Sequence, residues 1–396
     1  MIKRTIVALP GDGIGTVVLE AAIRVLDAAG FEANYAYADI GWEFWKKEGN
    51  PLPERTIKLL EKHKIGLFGA ITSKPKDAAA AELAPELQGK GFVYSSPIVG
   101  MRQLFDLDIC IRPCRTYLGN PLNFVRRGAD GNIEEPFIDV VIFRQNTECL
   151  YSGVEWSNPP EQVYEAFKTH KTFLKNFGTV PKEELSISAR IFTKKYTGRI
   201  LRAAFEHAGK NGYKSVTVCE KPNVIRETSG MMYKMAQDMQ KNEYPEIQLW
   251  NTNIDAQMMW LTKNPEDYGV IVAGNMFGDI VSDGFAGLIG GLGFACSANL
   301  GDEIAVFEPT HGSAPKYANF PVSIVNPIAM IASTCMMLHH IGEKVIATRI
   351  EKAVAEVIAE GKVRTYDMMK MTGSPDVITK GAASTARMAE AIIAKL

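Results

Sequence analysis

Continuous apolar runs alternate along the chain with segments whose apolar residues recur every three or four positions. The amino-terminal segment RTIVALPGDGIGTVVLEAAIRVLDAAG contains both patterns, separated by a glycine-rich stretch. We predict a strand, a tight turn and an amphipathic helix that ends at Gly30. This arrangement is the first half of a βαβ unit and indicates an α/β protein.

The same alternation continues downstream. Strands are predicted over IGLFGA, LDICIRP, FIDVVIFR, SVTVCEKPN and the first part of YGVIVAGNMFGD, and helices over YTGRILRAAFEHAGKNG, NPIAMIASTCMMLHHIG and the last residues from about Ala382. Residues 149–193 differ in texture, with paired prolines and several aromatics, and are predicted to be an insertion or a subunit contact. Because there is no internal repeat or low-complexity linker, we expect the domains to interleave.

Composition narrows the function. A length of 396 residues is typical of two or three domains, and 44 basic residues balance 45 acidic ones without a run of like charge. This balance argues against nucleic-acid or membrane-surface partners and favours a small-molecule substrate. No apolar stretch reaches the ~20 residues of a membrane span, and the first apolar run is too short for a signal peptide. Six cysteines without a CxxC pair indicate reduced, mostly buried thiols. We expect a soluble, cytoplasmic enzyme.

The stretch NMFGDIVSDGFAG places Asp279 and Asp283 four residues apart. On a helix they would share a face, and like charges at that spacing cost an isolated helix about 0.2–0.5 kcal/mol. No Lys or Arg occurs between Lys263 and Lys316, so the compensating charge must come from elsewhere. Asp255 could supply a third carboxylate, and such a set suits Mg²⁺ or Mn²⁺. The alternative is that Asp279 caps the helix while Asp283 is solvated.

Three arginines are predicted at strand ends. Arg102 and Arg112 lie in MRQLFDLDICIRPCR, and Arg144 ends VVIFR. Their rigid forked donors can bind carboxylates bidentately, which favours an anionic substrate over three ordinary surface arginines. Periodicity leaves open whether Arg115 joins them.

Two glycine-containing loops could contact a nucleotide. GDGIG lacks the last glycine of a dinucleotide fingerprint, since Thr16 stands there, and we interpret it as a tight turn. In FEPTHGSAPKYA, His311 could stack on a base or hydrogen-bond a ribose, and Lys316 could pair with a phosphate. A satisfied structural histidine is the alternative.

Together these segments closely resemble the metal-dependent β-decarboxylating dehydrogenases, which include isocitrate, isopropylmalate, homoisocitrate and tartrate dehydrogenases. The resemblance runs from LPGDGIG through RQLFDLDICIRP, VVIFRQNTECLYSG and CEKPN to GNMFGDIVSDGFAG and THGSAPKYA. It implies two interleaved α/β domains around a large sheet, with a non-Rossmann nucleotide site. The large nucleotide-binding domain would comprise residues 1–107 and 290–396, the small domain 108–148 and 194–289, and a clasp-like dimerisation insertion 149–193.

The resemblance also implies roles for individual residues, with two subunits completing each active site. The substrate would be bound by Ser96, Arg102, Arg112 and Arg144. The metal would be held by Asp279 and Asp283 of one subunit and Asp255 of the other. Proton transfer would fall to Tyr151 and to Lys221 of the neighbouring subunit. The nucleotide would be bound by Thr72, His311, Gly312, Lys316, Tyr317, Asn326, Tyr366 and Lys370.

The resemblance favours one substrate and one nucleotide. LYSGVEW, THGSAPKYA and TYD at 365–367 are similar to isocitrate dehydrogenases, and the pair Lys316 and Tyr317 is similar to those that use NADP rather than NAD. Ile98 stands where isocitrate dehydrogenases usually carry asparagine, and FGAITS looks more like homoisocitrate dehydrogenases. We therefore expect a homodimeric NADP-dependent isocitrate dehydrogenase, with homoisocitrate dehydrogenase or another 3-substituted malate dehydrogenase as the alternative. A non-catalytic regulatory paralogue is a further alternative, against which the complete set of aspartates with Lys221 and Tyr151 argues.

Overall fold

The computed structural model describes residues 3–396, which form one ten-stranded mixed sheet, two short two-stranded ribbons and the helices that cover them. The strands are β1 Arg4–Gly11, β2 Ala33–Tyr37, β3 Ile65–Ala70, β4 Ile109–Arg115, β5 Arg126–Arg127, β6 Ile133–Glu134, β7 Asp139–Gln145, β8 Glu155–Ser157, β9 Ser186–Ser188, β10 Ser215–Glu220, β11 Gln248–Asn253, β12 Val270–Ala273, β13 Cys296–Leu300 and β14 Ala305–Pro309. The helices are α1 Gly15–Ala28, α2 Trp42–Glu48, α3 Glu54–His63, α4 Lys76–Ala81, α5 Pro97–Leu104, α6 Glu161–Lys168, α7 Lys171–Phe177, α8 Lys194–Asn211, α9 Thr228–Glu243, α10 Ile254–Trp260, α11 Asn275–Leu288, α12 Pro315–Ala318, α13 Ile328–His340, α14 Lys344–Glu360 and α15 Thr385–Ile393.

The large sheet combines strands from both ends of the chain. Its order is β11-β10-β12-β7-β4-β13-β14-β3-β1-β2, with parallel pairs towards both edges and antiparallel pairs around β4 and β13 in the middle. Strand β3 pairs with β14, and α1 packs against α13 and α15, so the first and last parts of the chain share one half of the molecule. The α/β class with a large mixed sheet is confirmed. The exact domain boundaries stay a prediction.

The side chains of strand β7 point alternately to the two faces of the sheet. Val141 and Phe143 pack on one face in a cluster with α8, whereas Val140 and Ile142 pack on the other face in a cluster with α11. Successive strand residues point to opposite faces, so a strand with helices on both sides is apolar throughout. The polar residue at the end of such a strand is therefore directed to a defined face.

Several predicted elements are present at the expected places. Helix α1 is followed by Gly30, which has a φ of 83°. Helix α8 begins at Thr193, whose hydroxyl accepts the Tyr196 N–H, and ends at Gly212 in the left-handed region. The carboxy-terminal helix is shorter than predicted because Ser384 supplies the cap that starts it.

The segment 149–193 contains its own short ribbon and two helices. Strands β8 and β9 pair as an antiparallel ribbon, and α6 and α7 connect them. All six cysteines are free and buried, as predicted. Within residues 3–396, no helix is both long and apolar enough to cross a membrane.

Candidate active site

The candidate site lies where β4 and β7 face helix α11. The antiparallel register places Cys110 opposite Arg144 and Arg112 opposite Ile142, so the two arginines are diagonal neighbours. Arg144 comes two residues after Ile142 and therefore lies on the same face of β7, the face whose apolar residues pack in the cluster with α11. Both guanidinium groups consequently point to the helix that carries the aspartates.

The two arginines supply the positive charge that the acidic helix lacks locally. Arg112 Nη1 lies 3.0 Å from Asp279 Oδ1, 3.3 Å from Asp283 Oδ1 and 2.8 Å from the Ser282 hydroxyl. Arg144 forms an ion pair with the same Asp279 oxygen. Arginines remote in sequence thus compensate the charge of Asp279, and charge compensation alone does not require a metal.

Arg102 belongs to the same basic group but has its own partners. The prediction of a strand end is wrong for Arg102, because it lies on helix α5. It is 7% exposed and donates to Asn299 Oδ1 at 3.1 Å and to Glu308 Oε1 at 3.1 Å. Asn299 Nδ2 also donates to Glu308, at 2.8 Å. Arg115 lies apart, exposed and 3.6 Å from Asp139.

Tyr151 reaches the site from a short turn after β7. Its hydroxyl donates to Asp279 Oδ2 at 2.8 Å, and the Arg144 guanidinium lies 5.3 Å from its ring centroid. The turn begins after Cys149, which has a φ of 70° in a region that non-glycine residues rarely adopt. Tyr151 is 39% exposed, so its hydroxyl can meet a ligand.

Burial and charge shift the pKa values in opposite directions. Burial would raise the pKa of the Asp279 carboxyl, but Arg144 and Arg112 more than offset this and hold it below its ordinary value. For Asp283, the effect of burial exceeds that of the Arg112 charge, and the pKa is raised. Burial, helped by the neighbouring Arg112, lowers the pKa of Arg144 to about 10. Burial and the Asp279 charge raise the pKa of Tyr151.

Lys221 and Asp255 form a separate pair within one chain. Strands β10 and β11 are parallel with Glu220 opposite Asn253, so the residues that follow the two strands emerge side by side. The Lys221 ammonium forms an ion pair with Asp255 Oδ1. Among residues 3–396, no group of three or more His, Cys, Asp or Glu side chains is arranged to hold a metal. A single chain therefore does not unite Asp255 with the aspartates of α11.

Several of the residues predicted to bind the nucleotide lie in or beside the loop that follows β14. The Thr72 hydroxyl lies 2.6 Å from the Ser313 hydroxyl, which fixes the FGAITS segment against this loop. His311 Nδ1 lies 3.1 Å from the Gly312 carbonyl, whereas its buried Nε2 has no hydrogen-bond partner. Burial lowers the pKa of His311 and so favours the neutral ring. A Cβ at Gly312 would meet no atom closer than 3.9 Å, which leaves space over the loop.

An aromatic pair lies next along the same loop. The rings of Tyr317 and Tyr366 are 5.6 Å apart, and the Lys316 ammonium lies 4.6 Å from the Tyr317 ring centroid. These residues are close in space although about fifty positions separate the tyrosines. The loop and the segment around Tyr366 thus form one surface.

Asn326 and Lys370 meet at a shared residue. Asn326 Nδ2 donates to Asp367 Oδ2 at 3.1 Å, and the Lys370 N–H donates to the Asp367 carbonyl at 2.9 Å. Lys370 has a φ of 56°. The structure therefore joins the predicted nucleotide residues of three chain segments through short local contacts.

Helix α5 carries the residues expected to recognise the substrate. Ser96 is at its amino-terminal cap position, and the side chain makes no capping hydrogen bond, so its hydroxyl is available. Ile98 is 8% exposed and packs in the apolar cluster beneath the helix. Arg102 follows one turn later. The structure shows no contact between Ser96 and the arginines.

Sequence reasoning missed the residues that hold these groups in place. Asp12, in the GDGIG turn, accepts the Trp42 N–H at 2.7 Å and the Thr72 N–H at 2.8 Å. Asn275 accepts from Arg144 Nε at 2.9 Å. Glu308 lies in the same FEPTHG motif as His311, and this proximity was a usable signal. The tight-turn interpretation of GDGIG agrees with the positive φ of Gly11 and Gly13.

The donor set fits a divalent cation only in part within one chain. Three arginines are balanced by Asp279, Asp283 and Glu308, so a polyanionic substrate entering here would need additional positive charge. Hard oxygen donors on α11 match Mg²⁺ or Mn²⁺. Within the described residues of one chain, no third carboxylate completes this set. For a nucleotide, the unpartnered His311 Nε2 and the open space at Gly312 fit a ribose or base.

Comparison with known proteins identifies the family. The profile described as isocitrate/isopropylmalate dehydrogenase matches residues 5–392. The chain belongs to the isocitrate/isopropylmalate dehydrogenase family. Isocitrate/isopropylmalate dehydrogenases are decarboxylating oxidoreductases that use a divalent metal ion and NAD or NADP, so the chain is an enzyme of this class.

Relatives in this family differ in their named substrates. The chain is 39% identical over 390 residues to protein DlpA of Legionella pneumophila, covering 98% of this chain but 58% of that protein. It is 38% identical over 356 residues to homoisocitrate dehydrogenase of Methanocaldococcus jannaschii, covering 90% of each. The crystal structure of isocitrate dehydrogenase from Methylococcus capsulatus superposes with a TM-score of 0.81 at 33% identity, covering 99% of both chains.

Proposed function

We propose that the chain oxidatively decarboxylates isocitrate to 2-oxoglutarate and CO₂ with reduction of NADP⁺. The observation that carries this proposal is the group of three buried arginines, of which Arg112 and Arg144 pair with Asp279 and Arg102 pairs with Glu308. Arg112 Nε is buried without a hydrogen-bond partner, so the protein alone leaves one donor of this group unpaired. An unpaired buried donor is costly unless a ligand satisfies it.

The arginines would bind and orient the substrate. Arg102, Arg112 and Arg144 are fixed by carboxylate, hydroxyl and amide partners respectively, so their donors are preorganised. Preorganised donors lower the entropy that must be lost to reach a reactive geometry. Each arginine can bind an anionic oxygen through charge-assisted hydrogen bonds.

Two groups would handle protons. Lys221 of a second copy would accept the proton of the substrate hydroxyl, and Tyr151 would donate a proton to the enol carbon after CO₂ leaves. When bound between Asp279, Asp283 and the second copy's Asp255, the metal would polarise the hydroxyl, while the nucleotide would accept the hydride. Tyr151 already donates its proton towards Asp279, which orients the phenol before the reaction.

NADP is proposed as the nucleotide because of Lys316. Its ammonium lies beside the Tyr317 ring, at the edge of the surface that also includes Tyr366. A cation there would pair with a 2′-phosphate, and an acidic residue would repel it. Lys370 would provide a further phosphate contact.

Homoisocitrate is the second candidate substrate, and Ile98 is the observation that favours it. The side chain packs into the apolar cluster below α5 and offers no hydrogen bond to a third carboxylate. A substrate whose distal carboxylate extends beyond this helix would not need a hydrogen bond from position 98.

A homodimer is proposed because the site of one chain is incomplete. Lys221 and Asp255 pair with each other, apart from the group around Asp279. On α10 and α11, Met259, Trp260 and Ile280 are 48%, 42% and 43% exposed. A second copy packed against these helices would bury the apolar residues and add the missing carboxylate.

The decisive experiment follows reduced nicotinamide by absorbance. Purified protein is offered isocitrate, homoisocitrate, isopropylmalate or tartrate, each with NADP⁺ or NAD⁺ and with or without EDTA. We expect isocitrate with NADP⁺ to give the highest kcat/KM, and EDTA to abolish turnover until Mg²⁺ or Mn²⁺ is restored. A higher kcat/KM for homoisocitrate would show that the substrate assignment is wrong. A higher kcat/KM for NAD⁺ would show that the nucleotide assignment is wrong.

Absence of turnover with every substrate would favour the non-catalytic paralogue. Lys221→Met serves as the matched control, because it removes the proposed base and keeps a side chain of similar length. Unchanged turnover in this variant would refute the role of Lys221.

A further inference from the structure

A fully buried carboxylate, Glu220, lies immediately before Lys221 and is not part of the substrate, metal or nucleotide groups. Its side chain is 0% exposed. Glu220 Oε1 accepts the Gly274 N–H at 2.8 Å, and Oε2 accepts from Arg190 at 2.7 Å and from the Ser229 hydroxyl at 2.6 Å. Both oxygens therefore accept hydrogen bonds from within the protein.

The partners of Glu220 belong to three different parts of the chain. Gly274 is the amino-terminal cap of α11, which carries Asp279 four residues inside the helix. Ser229 is in the first turn of α9, and its hydroxyl also accepts the Lys221 N–H at 3.3 Å. The carboxylate thus joins the backbone of the proposed base to the start of the acidic helix.

Arg190 extends this network to the 149–193 segment. Its Nη1 donates to Ser229 Oγ at 2.9 Å, and its Nε donates to Cys149 Sγ at 3.3 Å, two residues before Tyr151. The guanidinium also lies 4.9 Å from the ring of Phe277 on α11. The Arg190–Glu220 pair therefore contacts residues next to Lys221, close to Tyr151 and on helix α11, which carries Asp279.

A buried ion pair is a poor way to gain stability, because desolvation of both charges offsets their attraction and an apolar pair of similar volume often serves as well. Its hydrogen-bond directions, however, fix geometry in a way that apolar contacts do not. We propose that Glu220, held by Arg190 and Ser229, is a positioning residue that fixes Lys221 relative to helix α11. Its effect on turnover rests on the proposed function, in which Lys221 is the base.

The test compares two variants with two matched controls. Glu220→Gln keeps the shape but places an amide against Arg190, and Ser229→Ala removes only the shared hydroxyl. Asp108→Asn is the control for the first, since Asp108 is a buried carboxylate paired with Arg199 elsewhere. Ser333→Ala is the control for the second, since Ser333 is a fully buried serine of α13.

Two measurements are made on each folded protein. The first is the rate at which an amine-specific acylating reagent modifies Lys221, measured by mass spectrometry relative to the exposed Lys214 at the other end of β10. The second is kcat and KM with the substrate that the wild type prefers. We expect Lys221 modification to change by at least about 3-fold, and kcat to fall about 10- to 100-fold with KM within about 3-fold, because small displacements of a reacting group cost that much.

The modification rate decides the inference even if no substrate is turned over, in which case only the proposed function fails. An unchanged Lys221 rate in both variants, or an equal change in the controls, would overturn the positioning role. If Glu220→Gln does not fold, the comparison of Ser229→Ala with Ser333→Ala decides.

Discussion

At the scale of single residues, Arg112 is the most informative arginine because its environment leaves one donor free. Arg112→Lys would keep the charge but lose the planar guanidinium, whose Nη1 contacts Asp279, Asp283 and Ser282. Charge-assisted hydrogen bonds contribute about 1.5–3 kcal/mol each, so we expect kcat/KM to fall at least about 10-fold.

The control for this prediction is on the same strand. Arg115→Lys changes an exposed arginine whose side chain is 67% exposed, and its kcat/KM should stay within about 2-fold of wild type. Steady-state kinetics of both variants make the comparison. Equal losses in the two variants would contradict the assignment of Arg112 to the substrate.

Tyr151→Phe should lower kcat because it removes the phenolic proton. General acid catalysis contributes about 10²–10⁴-fold, so a loss in that range is expected, with little change in stability. Tyr196→Phe is matched, because the Tyr196 hydroxyl also donates to an aspartate, Asp106, at 2.8 Å. A kcat loss of the same size in both variants would show that Tyr151 acts through structure alone.

Sequence reasoning found the charged groups of the site but not what holds them. Alternation along VVIFR placed Arg144 at a strand end, and the register of β4 with β7 then decided its neighbours. That register depends on long-range pairing, which no local pattern contains. For the same reason, the contacts of Asp12 and Glu220 could not be derived from spacing.

At the scale of elements, helix α11 approaches β7 closely because Gly278 has no side chain. A Cβ there would lie 2.7 Å from Arg144 Cγ and 3.2 Å from Arg144 Cα. Gly278→Ala should push the helix away from the strand, lower the free energy of unfolding by about 1–3 kcal/mol and reduce kcat. Urea unfolding and steady-state kinetics measure the two effects.

Gly287→Ala on the same helix is the control. A Cβ at Gly287 would have no neighbour within 4 Å, so the substitution should raise the free energy of unfolding by up to about 1 kcal/mol through helix propensity. If both alanines stabilised the protein equally, the close approach at Gly278 would be refuted.

The type of several long elements could be predicted, because strand β3 is a continuous apolar run and helix α8 has a clear periodicity and ends at a glycine. The order of the strands in the sheet could not be predicted, since β4 and β13 run antiparallel within a sheet whose outer pairs are parallel. The short elements β5 and β6 have two residues each, too few for any periodicity.

At the scale of the whole molecule, shared active sites can be tested by mixing inactive variants. Lys221→Met and Asp279→Asn should each abolish turnover in a homodimer. After the two are unfolded and refolded together, half of the dimers would be mixed and each would contain one intact site, so about a quarter of wild-type activity should return.

Refolding each variant alone is the control, and it should restore no activity. Absence of recovery in the mixture, with a dimer confirmed by sedimentation, would show that each site is built within one chain. The separation of the Lys221–Asp255 pair from the Asp279 group is the observation that this experiment examines.

The pairing of β3 with β14 also matters while the protein is being made. Ribosomes add about 5–20 residues per second, so β3 waits on the order of ten to fifty seconds before residues 305–309 emerge from the exit tunnel. Throughout that interval, the buried strand IGLFGA lacks a neighbour on one edge and is exposed to other nascent chains. Chaperones that bind apolar segments should therefore associate with the first third of this polypeptide during translation and leave it once synthesis is complete.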